Sequence, residues 1–370
     1  MPEILIVGGG VIGTSIAYHL AAKGARDVTL LESGKLASGE THKSGGFVQT
    51  HWQNPHEVRL IAHSRAVFRD WSERVGGDCG WTPGGYLHTT GTARETAVRG
   101  VHDMLCAAGL GSQWLAPAEL VKLAPGIRTD DLVGGAYETD SGWASSLATT
   151  RAFADAARRR GATIREGVTV MAITQDSGRI TGVTTSEGAI AAPIVILAVG
   201  PWTSTLHLGE PLPITLERGQ VTYVDRRICE TGFYDEVTGL YTHPAGELNL
   251  VGRDRESKFE LVPDPDHYRR EVDGKWIART AMMLGYRFPA LSESLLRHGV
   301  TGLYDFTPDG QPIVDGPLCG IDGYYLAAGF SGVGFKSSPA IGLAMAELVL
   351  DGRASSVDIG HLRWSRFAAR

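Results

Sequence analysis

The stretch that most constrains this chain lies near its beginning. An apolar run, Ile4-Leu5-Ile6-Val7, leads into Gly8-Gly9-Gly10-Val11-Ile12-Gly13, a turn of the form G-x-G-x-x-G. A helical pattern follows over Ser15, Ile16, Ala17, Tyr18, Leu20 and Ala21, and a second apolar strand, Val28-Thr29-Leu30-Leu31, ends on Glu32. Strand, glycine turn, helix, strand and acid in this order form a βαβ unit suited to a dinucleotide. Gly8 permits the tight turn, Gly10 lets backbone approach a pyrophosphate, and Gly13 lets helix and strand pack closely. The N–H groups at the helix start, from Val11 and Ile12 onward, offer donors and partial positive charge to phosphates. A carboxylate about 20 residues past the turn, here Glu32 beside Ser33, suits ribose hydroxyls and disfavours a ribose 2′-phosphate.

Bulk properties narrow the partners. At 370 residues the chain has room for more than one domain and a sizeable core. A formal net charge of -6 gives no reason to expect nucleic acid or an anionic membrane as partner. No apolar run reaches the length of a bilayer span. No basic flank or cleavage site precedes the first strand, so no signal peptide and a cytoplasmic location are expected. Cys79, Cys106, Cys229 and Cys319 lie far apart without metal-ligand spacing; reduced thiols and no metal are expected.

The order of elements continues the α/β theme. After Glu32 a loop of small and polar residues, Ser38-Gly39-Glu40-Thr41-His42-Lys43-Ser44-Gly45-Gly46, is placed to lie against a ligand. Phe47 to Trp52 reads as a short strand, and Val58, Leu60, Ile61, Val67, Phe68 and Trp71 as the stripe of a helix starting at Pro55. The charges from Arg65 to Arg74 read as a solvated face. Trp81 to Thr89 reads as a strand, 92–109 and 117–124 as helices, and Leu147 to Arg160 as a helix stopped by Gly161. Strands are expected over 162–165, 168–173 and 180–185. Pro193 to Ala198 has the unbroken apolar character of a parallel strand buried on both faces, and it ends in a second glycine turn, Val199-Gly200-Pro201-Trp202. Residues 214 to about 290 alternate in the manner of an antiparallel sheet, with a helix over Tyr268 to Met283. The tail returns to strand, glycine turn and helix: Gly323 to Ala328, then Gly329 to Lys336, then Pro339 to Leu350 stopped by Gly352.

These stretches carry a resemblance. Val7 to Gly13 with Glu32, Ser38 to Gly46, Pro193 to Trp202, Glu217-Arg218-Gly219-Gln220, Gly302 to Gly310 and Gly329 to Lys336 occur in the order found in one family. The chain resembles the FAD-dependent amine and amino-acid oxidoreductases of the D-amino-acid oxidase superfamily, with most likeness to the branch of monomeric sarcosine oxidase, the sarcosine oxidase β-subunit and glycine oxidase. The resemblance implies an α/β plus antiparallel-β fold. A Rossmann-like, glutathione-reductase-type FAD domain (1–50, 145–213 and 295–370) would carry a substrate domain (51–144 and 214–294) built on a mixed or antiparallel sheet. It further implies FAD on Gly8 to Gly13 and Glu32, with Ser38, Thr41, His42, Lys43, Ser44, Gly45 and Gly46 running along pyrophosphate and flavin. Val170 would meet adenine through its backbone, while Ala198, Val199, Gly200 and Trp202 line the cofactor. Gly302 would lie beside the flavin. Gly329, Phe330, Ser331, Gly332, Val333, Gly334, Phe335 and Lys336 would offer donors and a cation to its pyrimidine end, where negative charge develops on reduction.

Departures from the family pattern matter as much. Where monomeric sarcosine oxidase carries the cysteine that bonds to its flavin stands Gly302, and the position of the flavin-linking histidine of other relatives aligns with Lys43, one place from His42. Non-covalent FAD is expected, with a histidyl link through the His42 region the alternative. The arginines with which relatives hold a carboxylate align with Gln49 and Tyr304, so Lys336 is left as the matching cation, and the substrate carries either a single lysine-bound carboxylate or none. No lysine occurs in Leu248 to Gly252, where sarcosine oxidases place one over the flavin. The expected reaction is oxidation of a C–N bond of a small amine or amino acid to an imine, with O2 or another acceptor reoxidising the flavin. Gln49, His51, Tyr304 and Lys336 form the candidate substrate face, and His51 is either a proton acceptor or a hydrogen-bonded structural histidine. The alternatives are a 2-hydroxy-acid oxidoreductase of the same fold, and a flavoprotein subunit that needs a partner chain; a homo-oligomer fits any of these.

Overall fold

The computed structural model describes residues 3–254, 260–294, 296 and 298–367. Among these, a six-stranded sheet holds Ile4–Val7 at its centre, between Ile194–Leu197 and Val28–Glu32, all parallel. Tyr324–Ala328 and Thr163–Glu166 extend it on either side, and Ile313–Asp315 closes one edge antiparallel. The centre strand is buried at every position, as an apolar run covered on both faces requires. On one face its Ile4 and Ile6 share a core with the helices Val11–Ala22, Ser146–Arg159 and Gly334–Asp351. On the other, Leu5 and Val7 pack with Val170, Ile173, Ile180 and Val183 of a three-stranded antiparallel sheet.

The second large sheet has nine strands among the described residues and is antiparallel except where Gly232–Asp235 runs parallel to Tyr86–Thr90. Its longest strand, Thr215–Val224, pairs with Val300–Phe306 so that Gly219 faces Gly302. Sheet membership cuts across the expected domain division in two places. Val300–Phe306 belongs to this sheet, while the helix Pro55–Arg69 sends Leu60, Val67 and Phe68 into the core of the six-stranded sheet. Residue 295, the expected boundary, lies outside the described residues.

Four expectations need correction. The strand expected over Phe47 to Trp52 stops after Val48, because the Thr50 N–H and hydroxyl donate to the buried Glu138 carboxylate instead of to a neighbouring strand. Arg65 is buried rather than solvated, its guanidinium 3.6 Å from the same carboxylate. The helix expected over Tyr268 to Met283 runs instead from Gly274 to Arg287. The carbonyls that would have begun it are engaged elsewhere: Arg269 O accepts from Arg218 Nε (2.7 Å) and Arg270 O from the Thr301 hydroxyl (3.0 Å). The last helix starts at Gly334, not at Pro339, which sits inside it. Proline lacks the N–H that would reach the Phe335 carbonyl, and the Ser338 hydroxyl donates to that carbonyl at 2.8 Å in its place.

One buried ion cluster ties the second sheet to its helix. Arg287, fully buried, donates through Nε to Asp235 (2.7 Å) and through both terminal nitrogens to Asp131 (2.7 and 3.0 Å). Removing the cation from such a cluster strands a charged carboxylate in low dielectric. Arg287→Ala is expected to cost about 3–5 kcal/mol, read as a lower urea midpoint for loss of near-ultraviolet circular dichroism.

Candidate active site

The glycine turn is as tight as its sequence demands. Gly8 has φ +113° and packs so closely on Ala198 that a Cβ would strike its carbonyl, and a Cβ on Gly13 would strike the Gly8 carbonyl. Gly10 has only the Thr41 hydroxyl in front of it, 3.0 Å from where a Cβ would lie. The helix behind it has no side-chain cap, and its first N–H, Val11, donates to Thr41 Oγ1 at 3.1 Å. Glu32 is oriented by backbone: Oε2 accepts from Gly9 N–H (2.7 Å), and Oε1 from Gly34 N–H (2.8 Å) and the Ser33 hydroxyl (3.3 Å).

In front of the turn opens a cavity of about 770 Å³ between the two large sheets. Of the residues singled out in the sequence, Val11, Ile12, Thr41, Lys43, Ser44, Gly45, Gly46, Gln49, His51, Gly200, Gly302, Tyr304, Phe330, Ser331, Gly332, Gly334, Phe335 and Lys336 line it. Gly8, Gly10, Gly13, Glu32, Ser33, Ser38, Val170, Ala198, Val199, Trp202, Gly329 and Val333 are not among its lining. Of these, Ala198 packs on Gly8, and Trp202, which donates to Asp266 (2.9 Å), packs on Gly39. His42 also lies outside; it is exposed, with Nδ1 3.1 Å from the Ala37 carbonyl. Lys43 is inside but committed, donating to Glu40 Oε1 and to the Tyr268 hydroxyl, each at 2.7 Å.

Gly302 is explained by the same pair. A Cβ there would come within 2.8 Å of Glu40 Oε2, the oxygen that accepts the Leu303 N–H. The Glu40–Lys43 pair therefore occupies the space into which a side chain at 302 would grow. Opposite, the missing Cβ of Gly219 leaves room for the ring of Tyr304, whose hydroxyl is hydrogen-bonded to that of Tyr241.

Burial sets the electrostatics. The Lys336 ammonium, 7% exposed, lies 5.1 Å from the centre of the Trp52 ring and donates to the Gly332 carbonyl at 3.4 Å. Loss of solvent pulls it down to about 8, against the charge of Glu57, which raises it. Glu57 itself is pushed up to about 7 by burial, with Lys336 opposing. His51 and His88 lie 4.1 Å apart between ring centres and both fall below the usual imidazole range, mainly through burial. His88 Nε2 is 3.1 Å from Glu236 Oε1. Asp305 rises to about 6 through burial and accepts the Gly329 N–H at 2.9 Å. Gln49 Oε1, His51 Nδ1, Trp52 Nε1 and His88 Nδ1 are buried without a hydrogen-bond partner in the described structure.

Glu57, Tyr86, His88, Tyr234, Glu236, Tyr241 and Asp305 line the cavity and were missed in the sequence. Tyr86 and His88 are two apart on one strand, hence on one face, and Tyr234 is in register with His88. That alternation was readable; which face met a ligand was not. Glu57, three residues after the helix-capping Asn54, reads in sequence as an acid placed for the helix dipole.

The family of FAD dependent oxidoreductases matches residues 3–348. The chain belongs to that family. It is 27% identical to the mitochondrial pyruvate dehydrogenase phosphatase regulatory subunit of Mus musculus, over 99% of this chain and 43% of that protein. It is 29% identical to human mitochondrial sarcosine dehydrogenase, over 95% of this chain and 40% of that protein. The chain thus spans about two fifths of the length of these relatives. The glycine oxidase structure from Geobacillus kaustophilus superposes with a TM-score of 0.84 at 26% identity, covering 98% of each chain.

FAD is the cofactor of this family, and the residues present fit it. The turn has no room for side chains at Gly8 and Gly13, its helix start has only the Thr41 hydroxyl on the Val11 N–H, and a second helix start without a side-chain cap, Gly334 to Lys336, faces the cavity. Gly10→Glu should place a carboxylate where the pyrophosphate must come. The protein is expected to purify without flavin absorbance while its far-ultraviolet circular dichroism is retained.

Proposed function

We propose that this chain oxidises a C–N bond of a small amine or amino acid to the imine, with FAD held non-covalently between the glycine turn and the cavity. One observation carries the reading. A buried cation, Lys336, and a buried carboxylate, Glu57, line the cavity, and burial moves the proton affinities of both towards neutral pH. The FAD would lie with its pyrophosphate on Gly8 to Gly13, its ribose on Glu32, and its pyrimidine end towards Gly332 to Lys336. When bound it supplies the two-electron acceptor.

The protein's part is positioning and proton handling. An amine must lose its proton before it can give up hydride equivalents, so a base with an affinity near the working pH is needed. Burial leaves Glu57 in that range, whereas His51 is held neutral and weakly basic by burial and by His88. Glu57 is therefore assigned the substrate proton, and His51 and Gln49 hydrogen bonds to the bound amine. Lys336 in its charged form holds a single substrate carboxylate without the bidentate grip of an arginine. Tyr304, fixed by Tyr241, closes the opposite wall. Glycine oxidase and sarcosine dehydrogenase, whose likenesses are given above, act on small amino acids by name. This supports the substrate class and leaves oxidase as the working choice over dehydrogenase. The regulatory-subunit relative supports a second reading, in which turnover requires a partner chain.

A screen of primary, secondary and N-methyl amines, amino acids and 2-hydroxy acids without oxygen tests both readings. Flavin bleaching by an amine class, followed by peroxide release in air, is the expected result. Bleaching by hydroxy acids alone overturns it, and a yellow chain inert to every class favours the partner-dependent reading. Acid precipitation is expected to release the flavin into the supernatant. For a carboxylate-bearing substrate, apparent KM should rise as pH passes about 8, where Lys336 loses its charge. Glu57→Gln removes the charge that supports the ammonium, so this rise should move to lower pH. Lys336→Ala should raise KM at every pH and abolish the transition.

A further inference from the structure

Beside the cavity, three side chains of metal-ligating chemistry converge from opposite ends of the chain. His56 lies in the first turn of the helix Pro55–Arg69, where its N–H donates to the Asn54 side chain at 2.9 Å. Asp358 and His361 flank the start of the short turn Gly360–Leu362. Gly360 N–H donates to Asp358 Oδ1 (2.9 Å), which directs Oδ2 to a point 4.0 Å from His56 Nδ1. The two imidazole rings lie 4.5 Å apart between centres. One ligand atom from each residue lies within 4.8 Å of the other two. Both ring nitrogens of His361 are buried without a hydrogen-bond partner in the described structure. Arg366 and Asp309, whose charges also reach His361, close on each other at 2.7 Å.

We infer that His56, Asp358 and His361 form a site for a divalent transition metal of the zinc class, with solvent completing the coordination. Two imidazoles and one carboxylate suit zinc and its neighbours, whereas magnesium and calcium prefer all-oxygen sets. Bonds of about 2.0–2.2 Å require the ligand atoms to close in by roughly 1 Å from their present spread. Exposed side chains can make that movement by rotation: Asp358 is 75% exposed and His56 43% exposed. The spacing is invisible in sequence, because His56 lies hundreds of residues from the Asp358-x-x-His361 pair. Its consequence is local. A metal here would pin the start of the helix Pro55–Arg69 to the C-terminal segment, and the residue after His56 is Glu57, on the cavity wall.

The FAD-loaded, tag-free protein titrated with ZnCl2 by calorimetry, with thermal unfolding in parallel, tests this. One saturable equivalent per chain and a raised Tm are expected, with no competition from MgCl2. His361→Ala and Asp358→Asn should each weaken zinc binding at least tenfold while leaving the Tm measured in chelator within about a degree of the parent. Absence of a saturable equivalent, or unchanged affinity in both variants, overturns the site. Because Asp358 is exposed, Asp358→Asn remains informative even if His361→Ala lowers the Tm in chelator.

Discussion

The close approach of two strand ends is the constraint on which everything else rests. Ile4–Val7 and Ile194–Leu197 run side by side, and at their carboxyl ends Gly8 meets Ala198 so closely that no side chain fits between. Gly13 meets Gly8 in the same way one helical turn later. These contacts draw the helix Val11–Ala22 onto the sheet, its start bonded to the Thr41 hydroxyl alone and facing the cavity. The last helix, Gly334–Asp351, comes from far along the chain to complete this layer. Ser15 on the helix Val11–Ala22 donates to the Ser338 carbonyl of the last helix at 2.7 Å, which ties the helices behind the N-terminal and C-terminal glycine turns together.

The substrate side depends on a different effect, removal of water from charged groups. Lys336, Glu57 and Asp305 are all nearly buried in or beside the cavity wall, and each is shifted towards neutrality by desolvation. The opposing charges of Lys336 and Glu57 limit their two shifts without cancelling them, and backbone N–H donors limit that of Asp305, which leaves groups able to exchange protons near physiological pH. The histidines behave differently. Packed against each other and buried, His51 and His88 stay uncharged, so the imidazole face offers hydrogen bonds and no charge.

Much of the fold was legible because its signals are local. The glycine turn, the buried run Pro193 to Ala198 and the stop signals at Gly161 and Gly352 act within a few residues. Errors arose where a distant partner overrode the local pattern. Arg218 took the carbonyls that would have extended a helix back towards Tyr268, and Glu138 captured both Thr50 and Arg65. Pro339 was read as a helix start, yet Ser338 satisfies the carbonyl that proline leaves open.

The sequence by itself determined the dinucleotide turn, the acid after it and the family, since backbone conformation and close packing demand particular residues at fixed spacings. It also marked Gly302 as a departure. Only the tertiary structure decided why: Glu40 and Lys43 fill the space beside it. Likewise Glu57 became a candidate proton acceptor, and His42 fell outside the cavity, through burial that no spacing encodes. Turn geometry is a property of neighbouring residues, whereas proton affinity depends on how much water the whole fold excludes.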